Sequence, residues 1–268
     1  MKNILLLAHD DSGQEARFQA AMDIGRAVRG HITCLDVTIL PAFVGGDFAG
    51  GFGTGALLSD AVDREDDNRQ RLQQRLQHED VPWNWIDATG DLAPCLIDAA
   101  GLADLIVVNR QLDDFPVPDM RTAAGELIVR ARRPILAVPP ALKRFDLARA
   151  LVAWDGSACA AAALRAAVPL LLLAQSVSIL EVEDDSVRAP AEDAAAYLSR
   201  EGITATIMRV PLGDDETTAD VVVRHAVQGH AGYIVMGGFG HLRFVEALLG
   251  GTTRTLLKSS PLPLFLAH

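Results

Sequence analysis

Short apolar runs alternate with longer segments of helical periodicity along the whole chain. The runs span four to eight residues, are rich in Val, Ile and Leu, and lack polar alternation, which is typical of strands buried on both faces of a parallel sheet. They predict strands at residues 4–7, 32–37, 81–88, 105–108 and 135–138 in the first half, and at 150–154, 177–182, 203–210, 233–236 and 262–267 in the second. Strands that alternate with helices predict right-handed crossovers and a doubly wound sheet in each half.

Two segments carry signals for the start of a helix. Ser12-Gly-Gln-Glu15 fits the capping-box pattern, and Ser157 stands directly before an alanine-rich segment. We expect a helix to begin at each place, directly after the first strand of its half. Trp83 and Trp85 alternate on a predicted strand, so we expect both to face one layer of packed helices as core or interface residues.

The two halves of the chain repeat one design. The segment ILLLAHDDSGQEAR, from Ile4, matches ALVAWDGSACAAAA, from Ala150; GLADLIVVNR at 101–110 matches GHAGYIVMGG at 229–238, and RRPILAVP at 132–139 matches PLPLFLAH at 261–268. This self-similarity predicts two tandem domains, 1–143 and 144–268, each with a five-stranded parallel, Rossmann-like sheet flanked by helices. The matches are closer together late in the chain, so the first half carries extra residues, which we place in a glycine-rich loop at 43–60.

Composition narrows the class of protein. Half of the 268 residues are hydrophobic and 22% are charged, as in soluble globular proteins. The net charge of −11 and the absence of a large basic cluster argue against a nucleic-acid partner. The apolar runs are too short to span a membrane. Cys34, Cys95 and Cys159 are isolated in apolar surroundings, which predicts buried free thiols in a cytoplasmic protein.

The segment MGGFGHLRFVEALLGGTTRTLL at 236–257 contains two glycine clusters separated by nine residues. In open α/β sheets, ligands bind at the carboxyl ends of strands. The first cluster follows the fourth strand of the second half, and Asp155 follows the first. A helix starting near Thr252, after Gly250 and Gly251, would present free amides to an anion. A structural loop, with Asp155-Gly156-Ser157 as a turn and helix cap, is the alternative; convergence on one sheet edge favours a ligand site.

These residues resemble the universal stress protein family, and the similarity covers essentially the whole chain in two copies. Its most specific pieces are LVAWDGS at 151–157 and the spacing of Gly237, Gly240 and Gly250, which fits the G-x-x-G, nine residues, G pattern of nucleotide-binding members. Gly251 departs from the pattern, which has Ser or Thr there, and Thr252 follows it. The GHLRFVEALLGGTT form itself resembles a recurrent variant of the family.

The resemblance implies an adenine nucleotide, ATP or AMP, bound by the second domain, with Mg²⁺ as an accompanying ion. Asp155 would lie near the adenine or ribose, Val182 and Met236 beside the base, and the glycines with Thr252 around the phosphates. The complete set implied is Ala153, Trp154, Asp155, Val182, Met236, Gly237, Gly240, Gly250, Gly251, Thr252 and Thr253, with His241 and Arg243 as further phosphate contacts.

The first half departs from this pattern. At the equivalent place it reads VNRQLDDFPVPDMRTAA, without the three motif glycines and with Asp113, Asp114 and Asp119 where phosphates would lie. We interpret it as a degenerate partner that packs against the second half as a pseudo-dimer within the chain. The resemblance implies that the final strands, 135–138 and 262–267, meet at the seam, and two chains are expected to associate as a homodimer.

Three function classes stay open at this point. The first is a cytoplasmic stress-response protein that binds an adenine nucleotide; the second is an ATP-independent scaffold; the third is an enzyme with slow ATP hydrolysis, for which we identify no catalytic residue. His225 and His230 lack neighbouring ligands for zinc. The glycine-rich stretch 45–55 lacks the Lys-Ser/Thr of a P-loop, so we interpret it as a lid or contact loop.

Overall fold

The structure, a computed structural model, describes residues 1–39, 53–110, 120–184, 186–238 and 251–268. The first half contains β1 (Asn3–Leu7), α1 (Gln14–Val28), β2 (His31–Thr38), α2 (Gly53–Leu76), β3 (Trp83–Thr89), α3 (Leu92–Ala99), β4 (Leu105–Asn109), α4 (Met120–Ala131) and β5 (Ile135–Val138). The second half contains β6 (Arg149–Trp154), α5 (Ala158–Leu171), β7 (Ser176–Glu183), α6 (Ala191–Arg200), β8 (Ala205–Pro211), α7 (Thr218–Gln228), β9 (Tyr233–Gly237), α8 (Gly251–Ser259) and β10 (Leu264–Ala267).

All ten predicted strands are present, and they form one sheet of ten strands in the order β3-β2-β1-β4-β5-β10-β9-β6-β7-β8. Within each half all neighbouring strands are parallel. The strand order reverses at β1 and at β6, as in a doubly wound sheet, so the carboxyl ends of β6 and β9 flank an opening in the second half. The predicted α/β fold class is confirmed.

The halves join where β5 and β10 pair antiparallel, with Leu136 opposite Phe265. The predicted meeting of the two final strands is therefore confirmed, and the sheet is continuous across the seam. The boundary predicted between residues 143 and 144 lies in the connection from β5 to β6; the division into two domains at that point stays a prediction.

Helices cover both faces of the sheet, which explains why its strands are apolar without alternation. Buried side chains of α1, α2, α5 and α6 form one core with one face of the sheet. Those of α3, α4, α7 and α8 form a second core on the other face. Trp83 and Trp85 both pack against the first core, as their alternation predicts.

The two predicted helix starts have different outcomes. Ser157 is the N-cap of α5, and its hydroxyl accepts a hydrogen bond from the Ala160 amide at 3.1 Å. The capping box predicted at Ser12 is wrong: the N-cap of α1 is Gly13, with no side-chain cap. Instead, Asp11 Oδ1 accepts from the Gly13 amide at 2.7 Å. This Asx turn takes the place of the serine cap.

The glycine-rich stretch predicted as a loop at 43–60 is in part helical. Residues 43–52, with most of the 45–55 lid or contact stretch, lie outside the described residues, but α2 already begins at Gly53. The loop interpretation is therefore wrong from Gly53 onwards, because the long polar helix that follows extends back into the stretch. In the described ranges, no helix has the length and apolar character needed to cross a membrane.

Candidate functional site

A cleft of about 260 Å³ opens at the carboxyl ends of β6, β7 and β9, where α8 begins. Nine of the residues that the sequence analysis placed in a nucleotide site line it: Ala153, Trp154, Asp155, Val182, Met236, Gly237, Gly251, Thr252 and Thr253. The other four, Gly240, Gly250, His241 and Arg243, lie outside the described residues. Segments that are almost a hundred positions apart in the chain thus meet at one edge of the sheet.

The loop after β6 is fixed to the segment before α6. Trp154 Nε1 donates to the Ala189 carbonyl at 2.9 Å, and the Arg188 amide donates to the Asp155 carbonyl at 2.7 Å. Gly156 has φ +71°, and a Cβ there would lie 2.1 Å from the Ala189 amide nitrogen. Glycine is therefore required on two grounds, a left-handed backbone and a close approach. These contacts hold Asp155 at the mouth of the cleft.

Asp155 combines the two roles that the sequence left open. Its Oδ1 accepts from the Ser157 amide at 2.9 Å, so it does form the turn that precedes the helix cap. The residue is also half-buried and lines the cleft. Within the described ranges the side chain has no other hydrogen bond, so Oδ2 is left to accept one from a ligand hydroxyl or amine.

Gly237 ends β9 against the first turn of α5. A Cβ at this position would lie 2.6 Å from the Ala160 amide nitrogen and 2.8 Å from the Cys159 carbonyl carbon. Both atoms belong to backbone and cannot move aside as a side chain can. The glycine therefore lets the strand end approach the helix and keeps the floor of the cleft free of a side chain.

The cleft closes on the N-terminus of α8. Thr252 is half-buried and Thr253 is buried, and both line the cleft with Gly251. The first amides of a helix have no partner within it, and the helix dipole adds positive potential there. A Cβ on Gly251 would meet no described atom within 4 Å. The space around Gly251 therefore does not explain its departure from the Ser or Thr of the family pattern.

Asp184, Ser186 and Thr218 also line the cleft, and the sequence analysis did not name them. Asp184 accepts from the Ser186 amide at 2.8 Å, from the Ser186 hydroxyl, and from the Thr218 hydroxyl at 2.9 Å. Burial acts to raise the pKa of Asp184, but these hydrogen bonds outweigh it and lower the pKa. An acid directly after the second strand of the half was the signal that could have found this residue.

Cys159 is the one cysteine of the described ranges that lines the cleft. Burial raises the pKa of its thiol, the nearby Asp155 carboxylate raises it further, and Arg188 partly opposes them. Its Sγ lies 3.1 Å from His268 Nδ1, which is also 3.1 Å from the Gly238 carbonyl. Because a carbonyl oxygen only accepts, Nδ1 carries the hydrogen and donates. The raised pKa keeps the thiol protonated at neutral pH, so Cys159 is not an activated nucleophile.

The equivalent region of the first half is filled by its own charged side chains. Arg17 is fully buried and donates to the carbonyls of Leu7 and His9, to both oxygens of Asp11, at 3.0 and 2.7 Å, and to Asn109. A buried ion pair is tolerated when further hydrogen bonds satisfy its remaining atoms. The acidic residues Asp113 and Asp114 predicted to repel phosphates, and Asp119 after them, lie outside the described residues.

His9 stands in the first half where Asp155 stands in the second, and it pairs with a helix. Its Nδ1 lies 2.7 Å from Glu65 Oε1 of α2, and both residues are buried. Asp36 of β2 is buried beside Glu65. Burial, with the charge and hydrogen bond of Glu65, raises the pKa of Asp36 to about 8. Asp36 is therefore largely protonated at neutral pH.

The histidines weighed as zinc ligands are not grouped with others. His225 lies in the last turn of α7, and His230 follows that helix with φ +52°. Among the described residues, no three His, Cys, Asp or Glu side chains are close enough to hold a metal ion.

The chain is similar over nearly its whole length to known proteins. No family model matches the chain. It is 25% identical over 289 aligned positions, covering 98% of both proteins, to a universal stress protein of Synechocystis. The crystal structure of a universal stress protein from Archaeoglobus fulgidus superposes with a TM-score of 0.74 and 17% identity, covering 99% of this chain and 95% of that one. A functionally unknown Pseudomonas aeruginosa protein superposes with a TM-score of 0.62 and 17% identity, over 100% and 92% of the two chains.

The structural matches show the fold in both halves, and the curated relative extends the similarity in sequence over the same length. The resemblance drawn from the sequence is therefore confirmed: over nearly its whole length the chain is similar in sequence to a universal stress protein, and its fold matches that of a universal stress protein.

Proposed function

We propose that the chain is a stress-response protein that binds one adenine nucleotide, ATP or AMP, in the cleft of its second half. One observation carries this proposal: the Asp155 loop, Gly237 and the N-terminus of α8 converge on a single cleft. Each feature alone is common in loops. Together they offer an acceptor at one side and free amides at the other, which is what a nucleoside phosphate requires.

The apolar lining suits the base. Ala153, Val182 and Met236 come from the ends of three neighbouring strands, and Val222 of α7 lines the same cleft. Asp155 Oδ2 is placed to accept from a ribose hydroxyl or an exocyclic amine. Ser186 and Thr218, held by Asp184, add hydroxyl groups to the polar rim.

The phosphates would lie at α8. Gly251, Thr252 and Thr253 present amides and two hydroxyls, a common arrangement for anions at helix N-termini. A hydrogen bond to a charged oxygen contributes roughly 1.5–3 kcal/mol. Four or five, discounted for ordering costs, reach the roughly −8 kcal/mol of micromolar affinity. Gly240, Gly250, His241 and Arg243 complete this end in the proposal, on the strength of the sequence pattern alone.

Mg²⁺ belongs to the proposal only as a companion of the phosphates. Asp155 and Asp184 both line the cleft, but three donors already occupy the Asp184 carboxylate. The side chains thus favour an ion that is held mainly by the nucleotide.

A scaffold without nucleotide is the second candidate, and Gly251 favours it because the family's hydroxyl is missing there.

Hydrolysis of ATP is the third candidate. Ser157 Oγ serves as a helix cap and the Cys159 thiol has a raised pKa, so neither is an activated nucleophile. Cytoplasmic location and a homodimer are retained as part of the proposal, the former because the three cysteines are free thiols.

Identification of the carried ligand tests the proposal directly. The purified protein is denatured, released nucleotides are identified by mass-resolved chromatography, and the stripped protein is titrated with ATP by calorimetry. We expect about one equivalent of adenine nucleotide per chain.

A pair of variants tests the phosphate end. Thr252→Val should weaken ATP binding, whereas Thr255→Val, on an exposed side of the same helix, should not. No carried nucleotide and no binding heat near millimolar ATP would leave the scaffold interpretation.

A second pair of variants tests whether Asp155 contacts the nucleoside or only supports the turn. Asp155→Asn keeps an oxygen for the Ser157 amide, whereas Asp155→Ala removes it. We expect both variants to weaken adenosine binding more than inorganic phosphate binding. An equal loss of both ligands would mean that Asp155 only supports the turn.

A further inference from the structure

Across the seam, the first half contacts two segments that border the second half's cleft, the end of β9 and helix α8. A Cβ on Gly238 would lie 3.1 Å from Ile128 Cγ2 and 3.2 Å from Ile128 Cδ1, so the side chain of α4 occupies the space beside this glycine. Arg110 Nη1 donates to the Leu257 carbonyl, in the last turn of α8, at 3.0 Å. Helices α4 and α8 also contact each other directly.

These contacts link equivalent positions of the two halves. The Arg110 amide donates to the Val138 carbonyl at 2.8 Å, and the Gly238 amide donates to the Ala267 carbonyl at 2.8 Å, so Arg110 and Gly238 each follow the fourth strand and bond to the fifth. Ile128 and Leu257 are the matching buried residues of α4 and α8. The seam therefore has the reciprocal form of a two-fold interface. Its two sides differ in content, with an arginine on one side and a glycine on the other.

We infer that the first half is a brace for the cleft of the second half, with Ile128 and Arg110 as positioning residues for its phosphate end. The inference rests on the proposed function. Gly238 directly follows Gly237 on the cleft floor, so Ile128 limits where this end of β9 can lie. Arg110 contacts α8 in its last turn, and α8 is short enough to act as a rigid rod whose first turn faces the ligand.

The asymmetry gives the degenerate first half a role, support of the second half's cleft, that requires no ligand in the first half. Arginine at 110 reaches a helix-end carbonyl, where a positive charge is favourable. Gly238 has no side chain, so the cleft side stays open and the Ile128 side chain can pack beside it. A chain with two glycine segments would have no such cationic contact from its partner half.

Graded variants at Ile128 test the brace. Ile128→Val keeps a branched side chain beside Gly238 and should bind ATP like the wild type. For Ile128→Ala and Arg110→Ala we expect ATP affinity to fall about fivefold or more, the lower range of typical coupling between sites. Adenosine affinity should change less, because the contacts of Ile128 and Arg110 are with Gly238 and α8, beside the proposed phosphate end. Arg110→Lys, which can still donate to the carbonyl, should restore part of the loss.

Leu96→Ala in α3 is the matched control, since Leu96 is fully buried in the same core. Urea unfolding of each variant measures the general loss of stability. A purely structural role would reduce ATP and adenosine affinity by the same factor in Ile128→Ala and in Leu96→Ala. That result, or unchanged ATP affinity in Ile128→Ala and Arg110→Ala, would overturn the brace.

Hydrogen exchange without nucleotide separates this inference from the proposed function. Ile128→Ala should speed exchange of the Leu256, Leu257 and Ser260 amides in the ligand-free protein, relative to Leu96→Ala. Failure of the wild type to bind any adenine nucleotide would refute the proposed function, and the exchange rates would still decide on the brace. Unaltered exchange in these amides would refute the brace even if the wild type binds ATP.

Discussion

Asn109 and Gly237 end the fourth strand of their respective halves, and each faces the first residues of the helix that follows the first strand. In the first half the side chain is on the strand and the glycine is the N-cap of the helix: a Cβ on Gly13 would lie 1.9 Å from Asn109 Nδ2. In the second half the positions are exchanged, with Gly237 on the strand and Cys159 on the helix. Asn109 binds the buried Arg17, whereas Gly237 leaves an open cleft.

Exchanging the strand residue should therefore close the second cleft. We expect Gly237→Asn to lower the free energy of unfolding by about 1–3 kcal/mol, because overpacking against backbone forces a shift. ATP binding should be lost in calorimetry. Gly101→Asn is the control, since a Cβ there meets no described atom within 4 Å. Normal ATP affinity in Gly237→Asn would show that the close approach to α5 does not shape the site.

Gly251 is predicted to tolerate the hydroxyl that the family pattern has there. Its Cβ would enter open space among the described residues, and it is the first residue of α8, where Ser costs little. We expect Gly251→Ser to change stability by less than about 0.5 kcal/mol. If the α8 amides bind phosphate, the added hydroxyl should tighten ATP binding. Weaker binding at unchanged stability would mean that the glycine itself is needed against the ligand.

The sequence was sufficient for the fold because the signals are local and repeated. Each strand is an apolar run between polar segments, and the self-similarity of the halves indicated two copies of one α/β unit. The family resemblance indicated that the final strands meet, but their antiparallel direction is seen only in the structure. The helix start after β1 did not, because Ser12 fits a capping box, whereas Asp11 already bonds to the Gly13 amide.

Site residues that belong to a sequence motif could be predicted. Residues whose role depends on a partner far away in the chain could not. Asp155, Gly237 and Thr252 came from the pattern and meet in the cleft. Asp184 gains its role from Ser186 and from Thr218 on another helix. Likewise, nothing near Arg17 in the sequence shows that Asn109 would meet it, since that pairing depends on the contact of β1 with β4.

The buried Arg17 network should be essential for the stability of the first half. Arg17→Met leaves Asp11 buried without its partner, and removing one member of a buried pair costs about 3–5 kcal/mol. Arg26→Met on the same helix, where the arginine is part-exposed and paired at the surface, should cost at most about 1 kcal/mol. Adding Asp11→Asn to Arg17→Met should recover part of the loss in urea unfolding. Equal costs for the two arginines would contradict the role of Arg17.

The proton held by Asp36 should make stability depend on pH. The groups around Asp36 are Glu65 and Arg69 of α2, His9 beside Glu65, and Asp87 of the neighbouring strand β3. The folded protein keeps the Asp36 proton up to about pH 8, whereas an unfolded Asp loses it near pH 3.9. The folded state therefore binds more protons in this window, and the free energy of unfolding falls as the pH rises, by at most about 1.4 kcal/mol per unit for one proton.

Asp36→Asn removes this group, so its stability relative to the wild type should rise steadily from about pH 4 to about pH 8 and then level off. Urea titrations at closely spaced pH values measure the difference.

Asp104→Asn is the control, because the pKa of Asp104 is shifted in the opposite direction. Burial opposes the lowering, but hydrogen bonds from the Lys2 and Asn3 amides lower the pKa of Asp104. Its contribution should therefore disappear only in acid and leave the range from pH 5 to 8 unchanged. A constant difference between Asp36→Asn and the wild type over that range would show that Asp36 is ionised in the folded protein.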